Sequence, residues 1–310
     1  MNAASSSGPK PNADVSIDSD LVRALLSAQH PELAGLELRF ADDGWDNAVY
    51  TLGPDLAVRL PRRASAHSLL LNELRWLPFL APRLPVQVPV PARGGKPAEG
   101  YPYHWAIMPW FDGVSAASTG PDTRDGYAAE LAAFFRALHV PAPADAPKNP
   151  VRGVPLKDRD AVVRQRLAAS GLPEREALLA LWSRGLDAPT HLGPRLWVHG
   201  DPHPHNVIIY SPNADGRGNP AHGLRAVIDF GDLTAGDPAS DLAVCWLHFT
   251  AAGREEFRAA LAGHALYSPG TWVRARAWAM NYAVLMAGLP QGDPLHDVGV
   301  HGIEQLLGES

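Results

Sequence analysis

Two short segments of the chain carry residues whose types and spacing could do chemistry. Residues 199–206 have the sequence His-Gly-Asp-Pro-His-Pro-His-Asn, in which Asp201 precedes Asn206 by five positions. Residues 228–232 have the sequence Ile-Asp-Phe-Gly-Asp and contain Asp229. A carboxylate can orient a hydroxyl, and a neutral amide oxygen can bind a hard cation without adding repulsion beside phosphates. Together the segments are suited to holding a Mg²⁺-nucleotide and activating a hydroxyl.

The spacing of Asp201 and Asn206 matches the catalytic loop of protein kinases, which has the pattern H-R-D-L-x-x-x-N. In that loop the aspartate accepts the proton of the attacking hydroxyl, and the asparagine binds Mg²⁺. Asp229 heads an Asp-Phe-Gly sequence at the end of an apolar run. In kinases a carboxylate at this point bridges Mg²⁺ to the β- and γ-phosphates. Either segment alone is weak evidence, and the ordered pair is specific.

The residues up to 108 show the patterns of a small antiparallel sheet. Residues 1–16, rich in Ser, Ala, Pro and Asn, predict a disordered tail, and a capped helix follows to about Gln29. A second helix is predicted at 64–76, ended by prolines at 78, 82 and 85. Apolar runs bounded by turn residues predict five strands at 36–40, 47–52, 56–60, 86–90 and 103–108, with a Gly-Gly loop between the last two.

Beyond Pro109 the pattern becomes helical. One helical face is formed by Leu131, Phe134, Phe135 and Leu138, which follow the i, i+3, i+4, i+7 spacing. Further helices are predicted at 162–169 and 174–184 and throughout 239–310. The proline-rich segment 140–155 predicts a surface connection, and two apolar runs at 207–210 and 226–230 predict a hairpin around the polar residues 211–223.

These elements predict an α+β fold with two lobes. The N-terminal lobe, 17–108, is an antiparallel sheet plus a helix; residues 109–113 form a hinge; and residues 114–310 form a larger, mainly helical lobe. A ligand is expected in the cleft between the lobes.

Composition narrows the classes of partner. The 310 residues carry a net charge of −6, without the basic field of a nucleic-acid binder. No run approaches the roughly 18 to 20 apolar residues of a membrane span. A single cysteine, Cys245, gives no disulfide framework, and no export signal precedes the first helix. We therefore expect a cytoplasmic protein with small-molecule partners.

The segments resemble those of the aminoglycoside phosphotransferase family, which is similar in fold to the protein kinases. The resemblance rests mainly on 199–206, 228–232 and 236–243. Weaker support comes from 44–50, 57–63, Glu73 and 108–113. It implies a bilobal protein-kinase-like fold that uses Mg²⁺ and transfers the γ-phosphoryl of ATP, or of GTP, to a hydroxyl. The acceptor that it implies is an aminoglycoside or a similar antibiotic.

The resemblance also implies a role for individual residues. Asp201 would be the catalytic base, and Asn206 and Asp229 would bind Mg²⁺. Met108 and Trp110 would lie at the connector against which the nucleotide base packs.

Three further residues would contact or support the phosphates. Asn47 belongs to the turn at 44–47, which would cover them. None of the chain's lysines lies on the predicted third strand, where kinases place the phosphate-binding lysine; Arg59 takes that position, with Glu73 as its expected partner. Some members of the family, macrolide phosphotransferases among them, carry arginine here, and arginine can bind phosphate through two parallel hydrogen bonds.

Alternatives to this interpretation remain at the sequence level. The chain could be a pseudokinase that binds nucleotide without transfer, or a kinase of another hydroxylated metabolite. A metallohydrolase would use the histidines at 199, 203 and 205 with Asp201 to bind Zn²⁺. Its usual H-x-H-x-D order is not present, however, and the Asp-Phe-Gly sequence would have no role.

Several polar and aromatic residues allow two interpretations each. Asp237 and Asp241 fit helix caps better than catalysis, and Asp232 suits a turn as well as a metal contact. The aromatic segment 272–282 fits core packing better than a substrate pocket. The carboxylates of the last helices, Asp293, Asp297 and Glu304, fit a solvated face better than an amino-sugar site.

Overall fold

The computed structural model describes residues 11–211 and 223–309. The first part is a five-stranded sheet in the order β1-β2-β3-β5-β4, with every neighbouring pair antiparallel. One helix precedes this sheet, and a second crosses from its third to its fourth strand. These elements are α1 (Ser19–Gln29), β1 (Leu38–Asp43), β2 (Asn47–Leu52), β3 (Leu56–Pro61), α2 (Ala64–Leu80), β4 (Arg93–Gly95) and β5 (Trp105–Pro109).

The alternation of side chains along β3 places one arginine on the face opposite the sheet's main core. Val58 and Leu60 are buried with Tyr50 and Trp105 in a cluster beneath α1. Because successive side chains in a strand point to opposite faces, Arg59 projects to the other side, towards α2. Burying each large apolar side chain of this cluster contributes about 1.5–3 kcal/mol, which keeps the strand in this register.

The predicted strand at 86–90 is wrong. Pro89 lacks the N–H that a central ladder requires, and Gln87 instead accepts a hydrogen bond from Val227 N at 3.0 Å, in the helical part of the chain. The fourth strand is Arg93–Gly95, at the predicted Gly-Gly loop. The expected five-strand count is therefore correct, with a different segment at its edge.

Among the boundaries that differ from prediction, two have a clear physical reason. Helix α2 does not end at Pro78 but continues to Leu80, because Trp76, Leu77 and Leu80 are buried against the larger core and hold its last turn in place. In the predicted tail, residues 1–10 lie outside the described residues, but Asp14 is anchored: its side chain accepts hydrogen bonds from Ala64 N at 2.9 Å and from a tyrosine of the sheet lobe.

The rest of the chain is mainly helical, as predicted. It contains β6 (Val114–Ser115), α3 (Pro121–Arg124), α4 (Ala128–Leu138), α5 (Asp160–Ala169), α6 (Arg175–Asp187), β7 (Leu196–Val198), β8 (Val207–Ile209), β9 (Leu224–Val227), β10 (Thr234–Gly236), α7 (Val244–His248), α8 (Ala251–Leu261), α9 (Pro269–Ala287) and α10 (Pro294–Gly308). The apolar face predicted for α4 is fully buried. No helix in the described ranges is both long and apolar enough to cross a membrane.

Two small strand pairs position the chemical segments. β7 pairs with β10, and β8 pairs with β9, both antiparallel. The loop 199–206 joins β7 to β8, and the segment 228–233 joins β9 to β10. The predicted hairpin is thus confirmed as β8–β9, while its turn, 212–222, lies outside the described residues. Because β7 pairs with β10 and β8 pairs with β9, the segments 199–206 and 228–233 lie side by side.

Candidate active site

The loop that carries Asp201 is held by buried polar groups. The carboxylate of Asp241 accepts hydrogen bonds from His199 N at 2.8 Å and Gly200 N at 3.0 Å. His139 Nε2 donates to the same carboxylate at 3.2 Å. His199 Nε2 donates to Ile228 O at 3.1 Å, which ties the loop to the segment that carries Asp229. Buried charge-assisted bonds of this kind fix a loop because leaving them unmade is costly.

The backbone at the junction of the two segments is unusual at two positions. Gly200 has φ +90°, and a Cβ there would lie 2.5 Å from Asp232 O, so only glycine allows this approach. Asp229 has φ +61°, a left-handed conformation that a non-glycine residue adopts rarely. Such strain typically marks functional sites, where the surrounding structure enforces it.

Asp201 is buried and ionised. Its Oδ1 accepts a hydrogen bond from Arg152 Nη2 at 3.0 Å. Its Oδ2 has His203 Nε2 at 3.4 Å and no hydrogen-bond partner among the described residues. Burial raises the pKa of Asp201, but the neighbouring Arg152 and His203 lower it more, so the pKa lies below its usual value. The arrangement provides a carboxylate with one oxygen fixed and the other available to a hydroxyl.

Asn206 is oriented as a cation ligand would be. Its Nδ2 donates to Asp201 O at 2.8 Å, and its Oδ1 is buried without a hydrogen-bond partner in the described part of the chain. This oxygen and the carboxylate of Asp229 are hard donors of the kind that Mg²⁺ selects, with phosphate oxygens completing such sites. The residues present therefore fit a Mg²⁺ ion held by Asn206 and Asp229.

Arg59 faces this pair from the sheet. Its Nη1 lies 2.6 Å from Glu73 Oε2, and its Nη2 lies 3.2 Å from Asp229 Oδ1. The hydrogen bonds of the Asn47 amide are satisfied when its oxygen faces Arg59, at 3.1 Å from Nε and 2.9 Å from Nη2. The predicted partnership of Arg59 with Glu73 is confirmed. Sequence analysis had not paired Arg59 with Asp229, and this pair joins the sheet lobe directly to the Asp-Phe-Gly segment.

Burial changes the ionisation of this group of residues. It raises the pKa of Glu73 to about 7, because desolvation outweighs the attraction of Arg59. Burial acts to lower the pKa of Arg59, but Glu73 and Asp229 outweigh it, so the guanidinium stays charged. Arg59 is therefore always charged, whereas the carboxyl group of Glu73 titrates near neutrality.

The turn between β1 and β2 is held by two arginines that follow β3. Arg62 Nη1 donates to Gly44 O at 3.1 Å, and its Nε lies 2.7 Å from Asp43 Oδ1. Arg63 Nε donates to Asp46 Oδ1 at 2.9 Å. Both arginines therefore shape the predicted phosphate-covering turn from outside.

The two connector residues differ in exposure. Met108 is buried against Leu70 and Ala106, whereas Trp110 is 42% exposed. Trp110 N donates to Asp55 O at 2.7 Å, which attaches the connector to the β2–β3 turn. Both residues lie at the junction where the sheet lobe ends.

With this geometry described, the family can be named from the chain's own sequence. The phosphotransferase enzyme family (APH) matches residues 37–278, most of the chain. The chain belongs to this family. The expected kinase-like fold and phosphotransferase class are thereby confirmed. No curated protein matches the sequence.

Solved structures share the fold of this phosphotransferase at low sequence identity. The GDP and kanamycin complex of APH(2")-IIia has a TM-score of 0.65 and 18% identity, with 93% of this chain and 97% of that chain covered. The streptomycin–ATP–APH(2")-IIa ternary complex has a TM-score of 0.59 and 18% identity, covering 96% and 98%. Macrolide 2'-phosphotransferase MphH from Brachybacterium faecium, as apoenzyme, has a TM-score of 0.57 and 23% identity, covering 92% and 98%.

The metallohydrolase alternative gains no support from the histidines. His205 Nε2 donates to Pro294 O at 2.9 Å, and His203 lies beside Asp201 and Asn206. Across residues 11–211 and 223–309, no group of three or more His, Cys, Asp and Glu side chains is arranged to hold a metal. The side chains at the candidate Mg²⁺ site instead offer the amide oxygen of Asn206 and the carboxylate of Asp229.

Three of the ambiguous acidic residues, Asp232, Asp237 and Asp241, make structural contacts. Asp237 caps the turn at Ala239 and pairs with Arg274 at 2.7 Å. Asp241 holds the catalytic loop from behind. Asp232 has Arg152 Nε at 3.4 Å and accepts a hydrogen bond from Asn149 at 2.9 Å, so it anchors residues 149–152.

Sequence analysis missed residues that are distant in sequence from the motifs. Arg152, which contacts Asp201, lies in the segment 140–155 predicted as a surface connection; Arg152 and Gly153 are in fact buried, because Asp201 and Asp232 draw the segment inward. His248 Nε2 donates to Pro202 O at 2.8 Å and also braces the loop. Proline and charge patterns carry no signal for such long-range pairs.

A separate cavity of about 400 Å³ lies at the far ends of β7 and β10, lined in part by Gly153, Gly185, Thr190, Gly236 and Arg274. Neither the predicted base nor the predicted Mg²⁺ ligands line it. The cavity is therefore separate from the group formed by Asp201, Asn206 and Asp229.

Proposed function

We propose that this phosphotransferase transfers the γ-phosphoryl group of ATP or GTP to a hydroxyl of a small molecule. The observation that carries the proposal is the meeting of Asp201, Asn206 and Asp229 beneath Arg59. This arrangement joins a base, two hard oxygen ligands and a phosphate-binding cation in one cleft. A nucleotide-dependent enzyme works where nucleotide is available, so we propose the cytoplasm as its compartment.

Asp201 is proposed to act on the acceptor. The acceptor hydroxyl approaches Oδ2, its oxygen bonds to the γ-phosphorus, the bond from that phosphorus to the bridging oxygen breaks, and the hydroxyl proton passes to Asp201. Arg152 holds Oδ1 and keeps the carboxylate ionised before the proton arrives. Positioning and proton transfer of this kind contribute about 10²–10⁴-fold in rate.

Asn206 and Asp229 are proposed to hold Mg²⁺, which when bound neutralises charge on the phosphate oxygens. Arg59 is proposed to bind phosphate. Glu73 and the Asn47 amide would hold the Arg59 guanidinium in position through their contacts with it. Because Arg59 lies against Asp229 at 3.2 Å, binding requires the guanidinium to exchange part of this contact for phosphate. Met108 and Trp110 are proposed to flank the nucleotide base.

The acceptor is open to direct test. The solved relatives named above include complexes with kanamycin and streptomycin, so the panel of candidate acceptors includes aminoglycosides. A panel of hydroxylated antibiotics and metabolites is incubated with Mg²⁺ and ATP or GTP, and phosphorylated product is measured by mass spectrometry. We expect a product whose formation requires Asp201 and Mg²⁺.

The same experiment separates this proposal from a pseudokinase. A pseudokinase would bind Mg²⁺-nucleotide, detected as a rise in melting temperature, and would form no product with any acceptor. Product formation that persists unchanged in Asp201→Asn would remove Asp201 from the role of base. Absence of any nucleotide-dependent thermal shift would overturn the proposed function as a whole.

A further inference from the structure

Three arginines lie near one another beside Asp201 and helix α9. Arg152 contacts the base directly. Arg159 immediately precedes α5, and Arg166 lies within it, seven residues later. Residues separated by seven positions share one face of a helix. We call Arg152, Arg159 and Arg166 the arginine cluster.

The charges of this cluster are only partly matched. Arg152 has Asp201 and Asp232 as partners, at 3.0 and 3.4 Å. Arg159 and Arg166 make no ion pair with any carboxylate in the described ranges 11–211 and 223–309. Arg166 Nη1 bonds only to a neutral group, Asn281 Oδ1, at 2.6 Å, and Arg159 Nε is buried without a hydrogen-bond partner.

Another arginine of the same helix, Arg164, does have a carboxylate partner. Arg164 Nε lies 2.7 Å from Asp160 Oδ1, one helical turn away. Arg159 and Arg166 have no such neighbour, although they are the more buried residues. The missing countercharge is therefore specific to the face that adjoins Arg152.

The helix behind the cluster adds two buried polar side chains. Asn281 and Tyr282 of α9 are each 4% exposed. The Tyr282 ring lies under the Arg152 guanidinium, 4.9 Å from ring centre to Arg152 Cζ. The Tyr282 hydroxyl oxygen can accept from Arg152, but its own O–H has no acceptor within the described chain. A buried donor of this kind usually has a partner, such as a bound ligand or water.

The positive charges of Arg159 and Arg166 are electrostatically unfavourable without a counterion. Burial lowers the pKa of both Arg159 and Arg166, and the charge of Arg152 lowers both further. Arg159 adds to this effect on Arg166, whereas Tyr282 opposes it at Arg159. Like charges held near each other in a partly buried position are unfavourable unless an anion joins them.

We propose that Arg159 and Arg166 bind an anionic group of the acceptor, a carboxylate or a phosphate, while the acceptor's hydroxyl faces Asp201. This inference rests on the proposed function and specifies its substrate class. Guanidinium groups bind both kinds of oxyanion through paired hydrogen bonds. A polycation such as kanamycin meets repulsion at this surface, so a hydroxylated anion is the acceptor that the site selects.

The test measures binding and does not require turnover. The chain is saturated with Mg²⁺ and a non-hydrolysable ATP analogue, which occupies the Arg59 side, and is titrated calorimetrically with D-gluconate, glucose 6-phosphate, glucose or kanamycin. Gluconate carries a carboxylate and glucose 6-phosphate a phosphate, so the two anions distinguish the sources of charge. Glucose is the neutral match and kanamycin the cationic one.

We expect at least one of the two anions to bind the unmodified chain, and to bind R159Q/R166Q at least tenfold more weakly. The control R164Q removes the same charge from another face of the same helix and should bind like the unmodified chain. If the double variant does not fold, as judged by its melting temperature, R166Q alone replaces it.

Several results would overturn the inference. These are binding of neither anion, equal binding by the unmodified chain and R159Q/R166Q, or tighter binding of kanamycin than of both anions. The proposed function is judged separately, by nucleotide-dependent thermal shift and by product formation that depends on Asp201. Loss of the anion site with those intact would refute only the substrate class.

Discussion

The proposed nucleotide side and the proposed acceptor side of the site both contain partly buried arginines, with opposite charge balance. Arg59, on the nucleotide side, is surrounded by Glu73, Asp229 and the Asn47 amide. Arg159 and Arg166, on the acceptor side, have no carboxylate partner in the parts of the chain that the structure describes. The charge of Arg59 is therefore balanced by carboxylates of the protein, whereas the charges of Arg159 and Arg166 are not.

This difference indicates how each side meets its ligand. On the proposed nucleotide side, incoming phosphate would compete with the carboxylates of Glu73 and Asp229 for Arg59. A cation bound by Asp229 would compensate that carboxylate for the lost contact with Arg59. On the proposed acceptor side, an anion would add a missing charge without displacing a carboxylate. Breaking a buried pair by removing one partner typically costs about 3–5 kcal/mol. Substitutions should therefore affect stability on the nucleotide side and mainly ligand binding on the acceptor side.

The largest effect is expected at the boundary between the two sides. Asp201→Asn should lower kcat by about 10²–10⁴-fold, because an amide cannot accept the hydroxyl proton. The Mg²⁺-nucleotide Kd should change little. Steady-state kinetics and calorimetry measure the two effects. A kcat close to that of the unmodified enzyme would contradict the assignment of the base.

Removal of the Asp229 carboxylate should abolish the metal dependence of nucleotide binding. We expect Asp229→Ala to weaken Mg²⁺-nucleotide binding about 100-fold or more, since even groups that only support metal ligands typically contribute about 10–100-fold. Titration with nucleotide in the presence and absence of Mg²⁺ measures this effect. Nucleotide affinity that still rises with Mg²⁺ as before would show that the ion is held elsewhere.

The ionisation of Glu73 should make stability depend on pH. A carboxyl whose folded pKa, about 7, exceeds its unfolded value, 4.5, stabilises the fold below pH 4.5. That stabilisation is lost as the pH rises through about 7, and its size is on the order of a few kcal/mol. Urea unfolding without nucleotide at pH 5 and pH 8 measures the loss.

Glu73→Gln removes the titrating group, so its stability should fall less between these pH values than that of the unmodified chain. The exposed Glu37, which lies beside Arg39 on the sheet surface, supplies the control substitution Glu37→Gln. Equal pH dependence of the unmodified chain and Glu73→Gln would show that another group titrates.

The smallest effect is expected from Arg59→Lys, because this substitution keeps the positive charge that is proposed to bind phosphate. Arg59→Lys preserves the cation but cannot contact Glu73, Asp229 and Asn47 together, so nucleotide affinity should fall about tenfold, or about 1.4 kcal/mol. Arg39→Lys on the exposed face of β1 is the matched control. If Arg59→Lys bound nucleotide more tightly, arginine would be a handicap at this position and not a substitute for lysine.

Prediction from sequence succeeded where the signal is local. The face of α4, the β8–β9 hairpin and the motifs around Asp201 and Asp229 depend on spacing within one segment, and the structure contains each of them. It failed at 86–90, where an apolar run with Pro89 resembled a strand. It also failed at 140–155, because Arg152 is drawn inward by carboxylates that lie some fifty and eighty positions later.

What the sequence determined by itself is the chemistry: which residues can accept a proton, bind a hard cation or hold phosphate, and in what order they occur. What only the tertiary structure decided is the charge around them. The contacts of Arg59 with Asp229, of Arg152 with Asp201, and of Arg166 with Asn281 span 170, 49 and 115 positions. Ion pairing depends on distance in space and on burial, and neither follows from the separation of two residues along the chain.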